Sequence, residues 1–447
     1  MSRRAFLRSG INLSSTLLLA ACGFWNRNDD AATERVAAAE RELVLEVQHP
    51  FGGATMDLLE QVWAAYEAQN NGVGINAVPA PNDLSTNQKL FTDIAAGVAP
   101  DVTWVDGPQV AEWAEREVLQ DISAYFEGAG LSENDFWAPC WRQNFYNGKV
   151  WAITYTADAN FGFFWNKRVF AKAGLDPEQP PTTIDELTHI HKEITLVDGG
   201  IRRMGILPWN TYGSANAMFT WGWLFGGDFF DADANRITAD HERNVMALAW
   251  MQQLIADVGG YEEVARFQAD FGAGAETPFF MGQEAMRFYG PWELANIEQY
   301  APDLAYGITQ APAGPPPALP NSSWVGGWCA GMPVGARHPD AAWDFLHWLC
   351  ATDGGTELYG RLFMQFPGYQ KSSWYAKLPQ ERPQLVPFLD ILTAARHQRP
   401  VMPAQAFFMG ALQQNVDAAL RGEKSAMEAL HDAAESTQRE LEQILQR

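Results

Sequence analysis

The histidines, carboxylates and hydroxyls of this chain form no recognisable catalytic or metal-binding motif. His241 and Glu242 are the one His-Glu pair, and no second histidine follows three residues after the glutamate. His189 and His191 are two residues apart on a predicted helix, so their side chains point in different directions and do not suit one metal ion. Neither G-x-S-x-G nor G-x-x-x-x-G-K occurs. The absence of these motifs weakens an enzyme interpretation, and we predict a non-enzymatic protein that needs no metal or cofactor.

The first residues with a defined chemistry lie at the N-terminus. Residues 2–8, S-R-R-A-F-L-R, resemble the twin-arginine export signal. The apolar run 11–21 is about half the length of a membrane-spanning helix and is typical of a signal peptide. It ends in L-A-A-C, which resembles a lipobox, where small residues precede a cysteine whose sulfur accepts diacylglycerol. We predict a signal peptide at 1–22, lipidation of Cys22 and a flexible polar tether at 23–41.

The charge composition limits the classes of molecule that this protein is expected to bind. The chain has 447 residues, 54 of them acidic and 31 basic, for a net charge of −23. This charge argues against nucleic acid and anionic lipid as partners. Beyond Cys22, the three cysteines Cys140, Cys329 and Cys350 are odd in number and far apart, so we expect packing thiols rather than a disulfide framework.

Strand and helix patterns alternate through the first half of the mature chain. Strands are predicted at 43–47, 75–78 and 101–105, with helices between them, and this order is typical of a parallel sheet with crossover helices. Ligands of such sheets collect at the carboxyl ends of the strands. The loops after these three strands are therefore predicted to contact a ligand.

A second alternating run begins near Asn160, with a buried strand at 161–165. Residues 311–321 contain five prolines and are predicted to be a linker between lobes. The C-terminal segment 413–446 has the pattern of an amphipathic helix broken at Gly422.

Eight segments in register resemble one family, the extracellular solute-binding protein family 1, whose members are the maltose-binding-protein-like lipoproteins of ABC sugar importers. The segments are A-G-V-A-P-D-V-T-W-V-D at 96–106, G-K-V-W-A-I at 148–153, W-N-K at 165–167, 173–183, M-G-Q-E-A-M at 281–286, G-P-W at 290–292, G-G-W at 326–328 and 338–346. The resemblance spans about residues 43 to 447.

The resemblance implies an α/β, two-lobed periplasmic-binding-protein fold of the class II type, with a hinge and a ligand cleft between the lobes. We expect one lobe at 42–156 plus 331–365 and the other at 157–323 plus 366–447. Residues 324–330 are the expected crossover.

A sugar presents hydroxyls that need paired donors and acceptors, and flat C–H faces that pack on aromatic rings, so its site combines aromatic side chains with carboxylates. By the resemblance, the expected ligand-binding positions are Trp292, Asp106, Asp158, Tyr155, Trp328, Phe51, Trp209, Tyr212, Trp221 and Tyr369.

The sequence leaves a second interpretation open at most of these positions. Trp292 matches a sugar-stacking tryptophan but also suits a core, and Asp106 also suits an Asp-Gly turn. One or two of the aromatic residues at 209–223 are expected to reach ligand, and the others to pack in the core. Relatives have polar residues where Phe51 stands, so maltose specificity is not implied.

The resemblance implies a lipid-anchored, monomeric binding protein outside the cytoplasm that delivers a sugar or oligosaccharide to the transmembrane subunits of an ABC importer. Two alternatives stay open. A secreted glycoside-hydrolysing lipoprotein also lines its cleft with aromatics and carboxylates, and a non-sugar solute such as a polyamine also suits acidic and aromatic residues.

The lipobox predicts the outcome of one substitution. Cys22→Ala removes the sulfur that carries the lipid, so we expect the exported variant to leave the membrane fraction, because no acyl chain then holds it on the bilayer. Immunoblots of membrane and soluble fractions measure this. A variant that stays in the membrane fraction to the wild-type extent would contradict the anchor.

Overall fold

The computed structural model describes residues 42–52, 54–80, 84–209, 212–316 and 323–446. The predicted signal peptide, Cys22 and the tether lie outside the described residues. No helix within the described residues is long and apolar enough to cross a membrane.

Sixteen strands occur in the described part of the chain. They are β1 (Leu43–His49), β2 (Val73–Pro79), β3 (Val102–Asp106), β4 (Phe145–Tyr146), β5 (Lys149–Val150), β6 (Ile153–Thr154), β7 (Asp158–Asn160), β8 (Gly162–Asn166), β9 (Leu196–Val197), β10 (Ile201–Ile206), β11 (Phe230–Asp231), β12 (Arg236–Ile237), β13 (Glu284–Tyr289), β14 (Tyr306–Thr309), β15 (Trp324–Gly326) and β16 (Trp328–Gly331).

Seventeen α-helices occur in the same residues. They are α1 (Ala54–Gln69), α2 (Leu84–Ala95), α3 (Val110–Glu115), α4 (Ser123–Gly128), α5 (Ala138–Asn144), α6 (Lys167–Lys172), α7 (Ile184–Ile194), α8 (Gly213–Phe225), α9 (Glu242–Ala256), α10 (Tyr261–Ala269), α11 (Glu293–Tyr300), α12 (Pro339–Ala351), α13 (Asp353–Phe363), α14 (Trp374–Glu381), α15 (Val386–Ala394), α16 (Gln405–Leu420) and α17 (Ala426–Leu445).

The first lobe is built on a five-stranded sheet with the order β2-β1-β3-β16-β6. Strand β1 is parallel to β2 and β3, which confirms the predicted parallel pairing, and β16 is antiparallel to β3 and β6. The apolar side chains of β1 explain its place in the sheet interior, because Leu45 and Val47 are fully buried.

The second lobe is built on another five-stranded sheet, with the order β14-β8-β13-β10-β9. Strands β10 and β13 are parallel, so their carboxyl ends lie at the same edge. Strand β8 lies antiparallel between β13 and β14. Its consecutive residues Phe163 and Phe164 are both fully buried, which shows that both faces of this sheet are covered.

Two strands that connect the first sheet to the second pair with each other. Strand β7 lies between β6 of the first sheet and β8 of the second, and β15 precedes β16. The two connecting strands form an antiparallel ribbon in which Asp158 pairs with Gly326 and Asn160 with Trp324. We call β7 and β15 the crossover ribbon.

Two expectations about the ends of the second lobe have different outcomes. The break at Gly422 is confirmed, because this residue has φ +78° between α16 and α17. The proline-rich segment, predicted to be a linker between lobes, is packed on the second lobe in its described part. Its described part pairs with the second lobe, where Ala313 exchanges backbone hydrogen bonds with Thr182 and Ile184, and the passage to the first sheet occurs later, in β15.

The crossover ribbon predicts a large effect at Gly327, which joins β15 to β16. Its φ is +142°, and a Cβ at this position would lie 2.1 Å from the backbone oxygen of Thr156. Because backbone cannot move aside, we expect Gly327→Ala to lower the free energy of unfolding by more than about 1 kcal/mol. Urea unfolding followed by tryptophan fluorescence measures this.

Gly410 provides the matched control. It lies inside α16 with open space around the position of a Cβ, so Gly410→Ala should raise stability by about 0.5–1 kcal/mol. Equal effects of the two substitutions would show that Gly327 does not constrain the ribbon.

Candidate functional site

Three predicted residues meet at one edge of the first sheet. Asp106 is the last residue of β3, Trp328 is the first residue of β16, and the two are directly paired in register. Phe51 follows the carboxyl end of β1, and its ring lies 6.1 Å from that of Trp328, edge to face. All three side chains are partly exposed. We call Phe51, Asp106 and Trp328 the first wall.

An aromatic cluster lies where β10 and β13 of the second sheet end. The ring of Tyr212 stacks on Phe161 at 5.9 Å and meets Trp292 edge to face at 5.5 Å. Tyr289, the last residue of β13, lies 6.1 Å from Trp292. Trp292 is half-buried, and Tyr212 is 42 % exposed. We call Phe161, Tyr212, Tyr289 and Trp292 the second wall.

The crossover ribbon places charged groups between the two lobes. Asp158 of β7 is half-buried and accepts a hydrogen bond from the Thr156 hydroxyl at 3.3 Å. Arg399 donates from Nη2 to Oδ1 of Asp106 at 2.5 Å, and its guanidinium lies 5.8 Å from the centroid of the Trp324 ring in the ribbon. An acidic pair and one arginine therefore lie together beside the ribbon.

Burial has the largest effect on the pKa of Asp158. Desolvation raises the pKa of Asp158 to about 6, the Thr156 hydrogen bond lowers it, the Asp106 charge raises it and the Arg399 charge lowers it. Asp158 is thus a carboxyl that gains its charge only near neutral pH.

Tyr155 and Tyr369 take packing positions. Tyr155 is 1 % exposed, and its ring lies 4.1 Å from that of Tyr359 and 5.3 Å from that of Trp104. Tyr369 is half-buried against Phe136, with ring centroids 5.8 Å apart. These ring contacts are with core residues, so they give no support to the predicted role of Tyr155 and Tyr369 in ligand binding.

The predicted aromatic residues at 209–223 separate into two groups. Tyr212 belongs to the second wall, whereas Trp221 is 2 % exposed, packs on Trp250 and donates from Nε1 to the backbone oxygen of Pro208 at 2.7 Å. Trp223 is equally buried and stacks on His397. Trp209 is half-buried and donates to the Gln268 side chain at 3.1 Å.

Sequence reasoning missed three residues of the site. Phe161 was predicted only as the start of a buried strand, Tyr289 precedes the G-P-W segment without being singled out, and Arg399 follows α15 without any motif. The position of Tyr289 directly before the G-P-W segment was a usable signal. Arg399 had none, because its partner Asp106 is 293 residues away.

The described residues contain no group of three or more His, Cys, Asp or Glu side chains able to hold a metal ion. Cys140, Cys329 and Cys350 are buried free thiols, and burial raises the pKa of each. What the two walls offer is aromatic surface with carboxyl groups between, which is the chemistry of a binding site.

Two α/β lobes that are joined by a paired ribbon and carry aromatic residues at strand ends define the two-lobed periplasmic-binding-protein fold. The chain belongs to the bacterial extracellular solute-binding protein family, whose model matches residues 61–383.

Two relatives of known name are each about a quarter identical to this chain in sequence. A Brucella abortus protein named as a binding protein is 24% identical over 292 residues, or 64% of each chain, so the match spans less than two thirds of that relative. The sn-glycerol-3-phosphate-binding periplasmic protein of Pectobacterium atrosepticum is 24% identical over 378 residues, which cover 78% of this chain and 80% of that protein.

Solved structures show the same fold. The protein CpMnBP1 with mannobiose bound matches with a TM-score of 0.78 and 22% identity, over 89% of this chain and 100% of that one. The cyclic alpha-maltosyl-1,6-maltose binding protein of Arthrobacter globiformis matches with a TM-score of 0.72 and 24% identity, over 90% and 99% of the two chains.

The pKa of Asp158 predicts a pH dependence of stability. Because this pKa is higher in the folded than in the unfolded state, the folded state binds more protons between about pH 4 and 6, and its free energy of unfolding falls as pH rises through that window. Asp158→Asn removes this loss. We therefore expect the melting temperature of the variant, relative to wild type, to rise between pH 4 and 7.

Thermal melts of both proteins across this range measure the difference, and the other titrating groups are common to both. A melting-temperature difference between the two proteins that stays constant with pH would contradict the raised pKa of Asp158.

Proposed function

We propose that this protein is the extracytoplasmic substrate-binding component of an ABC importer and binds a sugar or oligosaccharide between its lobes. The observation that carries the proposal is the pair of aromatic walls at the strand ends of the two sheets, on either side of the crossover ribbon. In this proposal Trp292 and Tyr212 pack on sugar faces, and Asp106 and Asp158 bind hydroxyls.

The charge of the site favours a neutral solute. A phosphate ligand needs a free cation, but Arg399 is already paired with Asp106. A polyamine needs several uncompensated carboxylates, and here Arg399 offsets the charge of Asp106, which leaves at most Asp158 uncompensated. Neutral hydroxyl groups suit such a balanced group, since they both donate and accept.

The comparisons support a sugar as the ligand class. The two similar structures bind mannobiose and a cyclic maltosyl-maltose by their names, whereas one relative is named for sn-glycerol-3-phosphate. The paired state of Arg399 is the reason we prefer the sugar to the phosphate ester.

We further propose that the lobes are 42–156 plus 331–365 and 157–323 plus 366–447, and that they close on the ligand by bending at 324–330 and its paired strand. The closed, monomeric form would then deliver the sugar to the transmembrane subunits. The twin-arginine-like segment and Cys22 support export and a lipid anchor on the outer side of the cell membrane.

A glycoside hydrolase is the competing function. Such an enzyme needs one carboxyl as acid and another as base or nucleophile, and the ion pair with Arg399 occupies an oxygen of Asp106. We therefore expect bound oligosaccharides to be recovered intact after incubation with the purified protein. Release of shorter sugars would favour the hydrolase.

The proposal predicts a ligand-dependent stabilisation that depends on Trp292. A thermal-shift screen of the mature protein should find a sugar that raises the melting temperature, equivalent to about 2.7 kcal/mol at a hundred times its dissociation constant. Trp292→Ala should weaken binding of that sugar at least about tenfold, because it removes both stacking and covered apolar area. Calorimetry measures the affinity.

Trp348 is the matched control, since it is a half-buried tryptophan of α12 that packs on Tyr66 and donates to Gln69, neither of which belongs to a wall. Trp348→Ala should leave affinity unchanged. If Trp292→Ala instead costs about 3–5 kcal/mol of stability, as a core tryptophan does, with unchanged affinity, the second wall is packing alone.

A further inference from the structure

The second lobe contains a cavity of about 290 Å³ whose lining belongs to that lobe alone. Every residue of its lining falls between Leu207 and Phe288, so no part of the first lobe contributes to it. The lining residues include Trp209, Trp221, Phe271, Thr277, Glu284 and Arg287.

The cavity walls are aromatic. Trp221 and Phe288 are buried and meet edge to face at 5.1 Å, while Trp209 and Phe271 are half-buried nearer the surface. Trp209 is held in place because it stacks on Tyr261 at 5.8 Å and donates to Gln268. These rings offer flat apolar faces, which the C–H face of a sugar can cover.

Arg287 supplies an unused donor in this lining. It is 8 % exposed, and its Nη1 donates to Glu293 at 2.9 Å. Its Nε lies 3.8 Å from Oε2 of Glu284 and makes no hydrogen bond within the described residues. A buried donor left without a partner costs free energy, so a small shift of the Arg287 side chain that brings Nε to a ligand acceptor in the cavity would stabilise the protein.

Thr277 supplies a second unused group. Its hydroxyl oxygen is buried and also lacks a hydrogen-bond partner among the residues described. A hydroxyl both donates and accepts. Two different lining side chains, from the loop before β13 and from β13 itself, thus leave polar atoms unsatisfied.

The charges around the cavity exclude an anionic ligand group. Arg287 faces two carboxyl groups, Glu284 and Glu293, and burial raises the pKa of both, that of Glu284 to about 7. The surroundings are therefore neutral or negative, depending on pH. An added carboxylate or phosphate would be repelled, whereas a neutral hydroxyl would accept from Arg287.

We propose that this cavity binds one neutral sugar ring, with hydroxyls on Arg287 and Thr277 and a C–H face on Trp209 or Phe271. At about 30 Å³ per water, its volume corresponds to about ten waters, which is enough for one ring. The inference rests on the proposed function and assigns part of the ligand to the interior of the second lobe. The cation–π contact of Arg287 with Tyr289, at 4.2 Å, connects the cavity to the second wall.

Thr277→Val tests the cavity without changing its shape. Calorimetry with the sugar that gives the largest thermal shift should show a threefold to tenfold loss of affinity, about the worth of one neutral hydrogen bond. The melting temperature without ligand should stay unchanged, because the hydroxyl has no partner to lose. Thr393→Val, at an exposed position of α15, should leave the affinity unchanged.

Gly272→Phe provides an independent test by filling the cavity from its surface. A Cβ there meets only the flexible Glu276 side chain within 3 Å, so the fold should tolerate the substitution, and affinity should fall at least about tenfold. Gly128→Phe is the control, because Gly128 is exposed with open space beside it. The uronic acid of the same sugar should bind wild type more weakly than the neutral sugar.

The outcomes separate the two proposals. Binding of a sugar by wild type with unchanged affinity in both Thr277→Val and Gly272→Phe would overturn the cavity and leave the proposed function standing. Tighter binding of the uronic acid would also overturn it. If no sugar binds wild type, the proposed function and the cavity both fail.

Discussion

The pairing of β7 with β15 is the constraint on which the rest of the structure depends. Each of these strands connects the two sheets, so the hydrogen bonds between them hold the lobes at a set separation. Ala159 and Val325 of the ribbon are fully buried in a core that also contains Phe388 of α15. This packing makes the ribbon a structural element rather than a loose linker, and bending of so short an element moves whole lobes.

The ribbon also decides the electrostatics of the site. It places Asp158 between the lobes, and its Trp324 ring lies under the guanidinium that pairs with Asp106. Partly buried charges are costly unless they are paired, and here one carboxylate is paired with Arg399 while burial raises the pKa of the other. The result is a site with polar groups but little net charge, although the whole chain is strongly acidic.

The aromatic residues divide according to the strand ends from which they project. Trp292 and Tyr212 follow β13 and β10 and reach the second wall, whereas Trp221 lies further along α8 and packs into the core. Tyr212, which directly precedes α8, thus lies in the second wall, whereas Trp221 inside that helix lies in the core. Between wall and core lies the cavity beside Arg287, where packing leaves polar groups without partners.

The sequence by itself determined whatever depends on neighbouring residues: the order of strands and helices, the break at Gly422 and the motifs that place Trp292 after β13. These follow from local periodicity and backbone preference. Only the tertiary structure decided that Arg399 pairs with Asp106, that Phe161 joins the second wall and that a cavity opens inside the second lobe. The reason is physical, because such contacts join residues far apart in the chain, and their formation depends on how whole elements pack rather than on any local pattern.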